Sequence, residues 1–198
     1  MSKLLSFLFH PFYFVLLGIF IFFNTNTYIN FGYSRDLKLF IYAVVFLNTM
    51  LLPTLIGAYL NNRGQITSIH LDTIRDRKIM YVITFAFYVA TLFVLTSFNV
   101  PTVVYRFALG ASLTVAALFV LALFNKKVSA HMSAIGGICG SLVMLTVRLQ
   151  TDFLNLIFVF FLLAGIVGAA RIEVGAHRER EVYLGFLLGF LAQVFIFF

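Results

Sequence analysis

The chain has 198 residues, of which 62% are apolar and 11% are charged, and its formal net charge is +7. Soluble domains are roughly 45–50% apolar, so this composition excludes an ordinary soluble protein and predicts an integral membrane protein. A bilayer core about 30 Å thick needs roughly 20 apolar residues for each helical crossing. We therefore expect one all-α polytopic membrane helix bundle over residues 1–198, with six to seven transmembrane helices and almost no soluble domain.

Seven apolar runs follow one another along the chain. They cover residues 11–23, 39–60, 79–98, 103–124, 132–147, 153–169 and 182–198. The first run follows Lys3 and has the outline of a secretory signal, but it lacks a small-x-small cleavage site, so we expect a retained first span. Since we expect six to seven transmembrane helices, one of the seven runs is a candidate for a peripheral or only partly crossing span. Pro53 lies inside the second run and should kink that helix, since proline has no N–H to donate.

Small residues mark two of the runs. Gly136, Gly137 and Gly140 in the fifth run, and Gly185 and Gly189 in the seventh, predict close contact with neighbouring helices. The single cysteine, Cys139, lies among these glycines. Because it has no partner for an internal disulfide, we interpret it as a packing residue.

The alternation of spans brings distant polar segments to one membrane face. Loops that follow the second, fourth and sixth spans emerge on the same side as the N-terminus, which we call side A. Side A carries ten of the 14 basic residues, namely Lys3, Arg63, Arg75, Arg77, Lys78, Lys126, Lys127, Arg171, Arg178 and Arg180. The positive-inside rule would place such a face in the cytoplasm, but a phosphate-binding site also collects cations, so the orientation stays open. We expect the basic residues to meet anionic lipids or phosphate groups, and not nucleic acid.

The segment 170–181 combines three groups suited to phosphoryl transfer. A neutral imidazole such as that of His177 attacks phosphorus near neutral pH, and the phosphohistidine formed is labile enough for water to release. Glu181 follows four residues later and lies on the same face if a helix begins there. A carboxylate on the far ring nitrogen fixes the tautomer and stabilises the cationic ring. Arg171 lies in the same segment, and phosphoryl transfer also needs positive donors around the phosphoryl oxygens.

Two segments, in the order in which they follow along the chain, resemble motifs of the type 2 phosphatidic acid phosphatase superfamily. This superfamily includes the lipid phosphate phosphatases, glucose 6-phosphatase and the vanadium haloperoxidases. The segment Val128-Ser129-Ala130-His131 matches the family's Pro-Ser-Gly-His at Ser and His. The segment from Ala170 to Glu181 has the spacing of the family's Ser-Arg, five residues, His, three residues, Asp. The resemblance covers about residues 75–189.

The sequence departs from the family at several of these positions. Val128, Ala130, Ala170 and Glu181 stand where the family has Pro, Gly, Ser and Asp. The first family motif, Lys, six residues, Arg-Pro, is matched around Arg77 only if His70 replaces Lys and Lys78 replaces Pro. Arg75 is an equally good candidate for the arginine, so the sequence assigns the loop and not the residue.

The resemblance implies a role for each candidate residue. His177 would be the nucleophile, His131 the general acid that protonates the leaving oxygen, and Glu181 the orienting carboxylate. The phosphate would be held by Arg171, Ser129, the amide of Ala130 and one or both of Arg75 and Arg77, with Lys127 close enough to touch it. No metal and no cofactor are implied, and the sequence has no cluster of ligands at metal-binding spacing. The substrate would be a lipid phosphate or a polyprenyl diphosphate, and the location the bacterial inner membrane.

Other interpretations remain open. The four departures also fit a degenerate family member that binds anionic lipid or a partner protein without turnover. A small transporter would need ionisable residues facing a path within the spans, and the runs contain essentially none at mid-span. We interpret His10, beside Pro11, as a membrane-interface residue, and residues 178–180 as a surface that faces solvent or headgroups.

Overall fold

The computed structural model describes residues 10–25, 32–68, 71, 73–150 and 152–198. The described residues form seven helices and no strand. The helices are α1 (Pro11–Asn24), α2 (Arg35–Asn62), α3 (Ile74–Thr96), α4 (Thr102–Leu123), α5 (Ala130–Leu149), α6 (Leu154–Glu173) and α7 (Glu179–Phe197). Helices α2 to α7 are each long and apolar enough to cross a membrane. The predicted all-helical class is therefore confirmed, and six of the seven predicted spans are helices long and apolar enough to cross a membrane.

Helix α1 is the short member of the bundle. Its 14 residues extend about 21 Å at 1.5 Å per residue, which is less than the bilayer core requires. It is nevertheless an inner helix, since Phe14, Ile19 and Phe22 are at most 3% exposed. It packs against α2, α4 and α5, and its far end is joined to α2 by a hydrogen bond of 3.2 Å from Asn24 Nδ2 to Tyr42 Oη.

The regular α-helical geometry of α2 is interrupted just before Pro53. A π-helical stretch covers Phe46–Leu51, and the α-helix resumes at Leu52–Asn62. Pro53 has no N–H for the carbonyl of Thr49 four residues earlier, and its ring crowds that carbonyl. The interruption expected from Pro53 thus takes the form of a wide turn, which is a recognised cause of bends in helices.

Helices α5 and α7 touch through their backbones. A Cβ atom added at Gly189 would overlap the carbonyl oxygen of Ser133, and one added at Gly136 would overlap that of Phe186. Only glycine allows so close an approach, as predicted from the small residues of these two runs. Cys139 is fully buried within α5, in agreement with its interpretation as a packing residue. The contact fixes the N-terminal ends of α5 and α7 relative to each other, and the candidate site lies at those ends.

Candidate functional site

Hydrogen bonds join the side A loops. Arg77 Nη1, at the start of α3, donates to the carbonyl oxygen of Val128 at 3.2 Å. The N–H of Ser129, at the end of the α4–α5 linker, donates to the carbonyl oxygen of Glu181 in the first turn of α7 at 3.1 Å. Three segments that are far apart in sequence therefore meet at one end of the bundle, where the alternation of spans places them.

The loop between α6 and α7 is closed on itself. Helix α6 ends at Glu173, and Gly175 follows with φ at +70°, the left-handed conformation that commonly terminates helices and that glycine adopts without strain. The N–H of His177 then donates to the carbonyl oxygen of Arg171 at 3.2 Å. The interval of five residues between Arg171 and His177 thus spans a helix end, and it brings the two residues back beside each other.

His177 and Glu181 form a hydrogen-bonded pair. Nδ1 of His177 lies 2.7 Å from Oε2 of Glu181, and the His177 side chain is only 1% exposed. Glu181 is itself held, since the same oxygen accepts from the N–H of Arg178 at 3.4 Å. The side chain of a residue in the first helical turn often reaches back in this way to an amide at the helix N-terminus. The carboxylate therefore has a fixed position on one imidazole nitrogen.

The surroundings of His177 favour its neutral form. Burial lowers the pKa of His177 from its ordinary value, and the nearby charges of Arg77, Arg171 and Lys127 lower the pKa further. The Glu181 carboxylate acts against this shift, because an opposite charge favours the cationic ring. Because burial and three cations lower the pKa, whereas one carboxylate, that of Glu181, raises it, we assign a neutral imidazole whose Nδ1–H donates to Glu181. Nε2 then carries the lone pair, which is the state needed for a nucleophile.

The two arginines considered for the first motif have different environments. Arg77 is 6% exposed, and its Nε donates to the carbonyl oxygen of Leu71 at 2.8 Å in addition to the bond with Val128. Arg75 is exposed to solvent. Arg77 is therefore the buried arginine of the two, and its charge acts on the His177 ring. His70, the alternative occupant of this motif, lies outside the described residues.

Ser129 and Ala130 lie at the N-terminus of α5, next to the hydrogen bond that joins the linker to α7. Ser129 is fully buried, and among the described residues its Oγ has no hydrogen-bond partner. Ala130 is the first residue of α5, and the first N–H groups of a helix have no acceptor within the helix. Such amides and the helix dipole favour a bound anion. An unsatisfied buried hydroxyl beside these amides gives the position a free donor.

A depression of about 380 Å³ opens at His177. Its lining residues are Lys127, Gly175, Ala176, His177, Arg178 and Glu181. Lys127 is half-buried, whereas Lys126 and residues 178–180 are exposed. The exposure of residues 178–180 agrees with their interpretation as a surface, although Arg178 also borders the depression.

His131 has an aromatic neighbour that the sequence did not predict. It is half-buried in the first turn of α5, and its ring packs edge-to-face on that of His10, with centroids 5.7 Å apart. His10 matches no motif, and its position on side A was the only signal in the sequence that it could approach His131.

Among the described residues, no group of three or more His, Cys, Asp or Glu side chains is placed to hold a metal ion. Comparisons of the chain with protein-family models, with curated proteins and with solved structures found no match.

Proposed function

We propose that this protein is a membrane phosphatase that hydrolyses a lipid phosphate or a polyprenyl diphosphate through a phosphohistidine at His177. The proposal includes membership of the phosphatidic acid phosphatase type 2 superfamily, which the two motifs resemble. The scissile phosphate would lie at the side A interface, and the acyl or prenyl chains would remain between helices. No metal or other cofactor takes part.

The observation that carries the proposal is the His177–Glu181 pair among cations. A carboxylate 2.7 Å from Nδ1 leaves Nε2 as the reactive nitrogen of a neutral ring. Arg77, Arg171 and Lys127 are close enough to lower the pKa of that ring, so they are also close enough to stabilise negative charge on a phosphoryl group bound to it. Preorganised positive donors of this kind supply much of the catalysis in phosphoryl transfer.

The reaction would proceed in two steps. In the first, Nε2 of His177 bonds to phosphorus and the bond to the leaving oxygen breaks, while His131 gives that oxygen its proton. Glu181 stabilises the cationic phosphoimidazole. In the second step, water attacks phosphorus, neutral His131 takes a proton from the water, and inorganic phosphate leaves as His177 returns to its neutral form. For a diphosphate, the first leaving group is the lipid monophosphate.

A second candidate function is a phosphate-lipid binder without turnover. The observation in its favour is that the His177 side chain is 1% exposed, so very little of its ring is accessible to a phosphate from outside. The substituted motif positions, Ala130 and Ala170 among them, agree with either function. The transporter hypothesis has less support, since the buried charged residues of the described spans, Asp76 and Arg77, lie at the side A end of α3.

Phosphate release from purified protein tests the two candidates. Phosphatidic acid and a polyprenyl diphosphate are offered in detergent and in vesicles to the wild type, to His177→Asn and to Arg180→Ala, a matched control in an exposed position of the same segment. The phosphatase predicts release by the wild type and by Arg180→Ala and none by His177→Asn. Binding of these lipids without release by the wild type favours the second candidate, and equal release by His177→Asn contradicts the first.

A further inference from the structure

His10 is fixed in place at the entrance to α1. It precedes Pro11 as the N-cap residue, and its Nδ1 accepts a hydrogen bond from the N–H of Phe12 at 3.4 Å. Its ring also packs against the rings of Phe12 and Tyr13, with centroids 4.7 and 6.1 Å away. The imidazole of His10 is therefore held by its own helix from two directions.

Helix α1 is in turn anchored to the core of the bundle. Its face that carries Phe14, Ile19 and Phe22 is buried, and the ring of Phe22 packs edge-to-face on Phe107 of α4 with centroids 5.1 Å apart. A Cβ atom at Gly18 would overlap the Phe107 ring. The position of His10 relative to α5 is thus set by packing along the whole helix.

We propose that His10 is a positioning residue for His131, and that α1 is therefore part of the construction of the side A site. The edge-to-face contact at 5.7 Å places a rigidly held ring against the imidazole that would protonate the leaving oxygen. Side chains next to a reacting group contribute by limiting its orientations, since misplacement by about 1 Å can cost 10²-fold in rate. The catalytic consequence rests on the proposed phosphatase function, whereas the positioning of His131 does not.

Two variants separate the ring of His10 from its capping role. His10→Asn keeps a good N-cap acceptor and removes the ring, while His10→Phe keeps an aromatic ring and removes the cap. Positioning predicts that His10→Asn lowers kcat for phosphatidic acid about tenfold, and that His10→Phe stays close to the wild type. A residue that only caps α1 predicts the reverse order, and that result would overturn the inference. Ser34→Ala is the control for loss of a helix cap elsewhere, since Ser34 Oγ accepts from the N–H of Leu37 at the start of α2.

The leaving group provides a readout that a structural role would not change. An aryl phosphate with an acidic alcohol, such as p-nitrophenyl phosphate, needs little help from a general acid. His10→Asn should therefore slow phosphatidic acid turnover much more than turnover of the aryl phosphate. Equal slowing of the two substrates would contradict an action through His131.

Nuclear magnetic resonance of the His131 side chain tests the inference independently of turnover. In full-length protein with ¹⁵N-labelled histidine, His10→Asn should shift or broaden the His131 ring signals, and His10→Phe should change them less. If the wild type hydrolyses no phosphate ester, the proposed function fails but this measurement still applies. Unchanged His131 signals in His10→Asn would overturn the inference whatever the activity of the protein.

Discussion

Nδ1 of His177 lies 2.7 Å from Oε2 of Glu181, across the junction between the α6–α7 loop and the first turn of α7. The family that the chain resembles has an aspartate at this position, one methylene shorter. Glu181 reaches the ring because His177 lies just before the helix N-cap, Arg178, which leaves room for a longer side chain. Glu181 therefore makes the contact to the imidazole that its proposed orienting role requires.

Replacement of Glu181 by Gln should lower kcat about 10²-fold, because loss of the carboxylate removes the stabilisation of the cationic phosphoimidazole and the control of its tautomer. Glu181→Asp should lower kcat by an intermediate factor, since the shorter side chain does not bring its carboxylate within 2.7 Å of Nδ1 from the same backbone position. Glu179→Gln, exposed in the same helical turn, is the matched control. Steady-state phosphate release measures all three, and an unchanged kcat in Glu181→Gln would contradict the role of the pair.

The two arginines of the α2–α3 segment should differ strongly. Arg77→Ala removes a buried cation beside His177 and should lower kcat/KM about 10²-fold, in the range found for the loss of one stabilising donor. Arg75→Ala should change kcat/KM by no more than about twofold, because exposed charges contribute little. The thermal unfolding temperature of each variant should be measured beside its kinetics, because Arg77 also donates hydrogen bonds to two backbone carbonyls and its removal affects stability. A larger kinetic effect at Arg75 would show that the wrong arginine has been assigned.

Ser129→Ala should have opposite effects on stability and on binding. The Ser129 hydroxyl is buried and has no hydrogen-bond partner in the described part of the chain, so its removal should raise the free energy of unfolding by about 1 kcal/mol. If that hydroxyl donates to a phosphoryl oxygen, the affinity for vanadate, a phosphate analogue, should fall about tenfold. Ser133→Ala is the control, because Ser133 Oγ already donates to the Ser129 carbonyl at 3.1 Å and should not affect vanadate. Loss of stability in Ser129→Ala would show that its hydroxyl does have a partner in solution.

The lowered pKa of His177 predicts how stability depends on pH. Below about pH 6.5 the unfolded chain binds a proton at this residue, whereas the folded protein does not until the pH reaches the lower pKa of the buried ring. Stability should therefore fall on acidification through this window and be independent of His177 above it. The change from pH 7.5 to pH 5.5 should be about 1.4 kcal/mol. Denaturant unfolding in detergent of the wild type and of His177→Gln measures it, and identical pH profiles would contradict the assignment.

The features that the sequence could predict are those governed by local pattern. Runs of apolar residues locate the helices because each must satisfy its backbone within the bilayer, and Pro53 marks the interruption of α2 because it lacks an N–H. The pairing of His177 with Glu181 follows from a spacing of four residues at the start of a helix.

The features that the sequence could not predict depend on which helix faces pack together. Arg75 and Arg77 are two residues apart, and only the docking of α3 against the α4–α5 linker places Arg77 inside and Arg75 outside. The approach of His10 to His131 depends likewise on the position of α1 against α5. Neither the burial of Arg77 nor the contact between His10 and His131 can be predicted from composition or spacing, since both depend on tertiary contacts between segments far apart in the chain.

The most direct test of the central claim is to trap the phosphorylated protein. Wild-type protein is mixed with phosphatidic acid or a polyprenyl diphosphate, quenched rapidly under alkaline conditions that preserve phosphohistidine, and analysed by peptide mass spectrometry. We expect one added phosphoryl group on the peptide that contains His177, and its accumulation in His131→Ala if water attack is slowed more than the first step. Turnover of the substrate with no phosphoryl group on His177 at any time, or full activity in His177→Asn, would contradict the account.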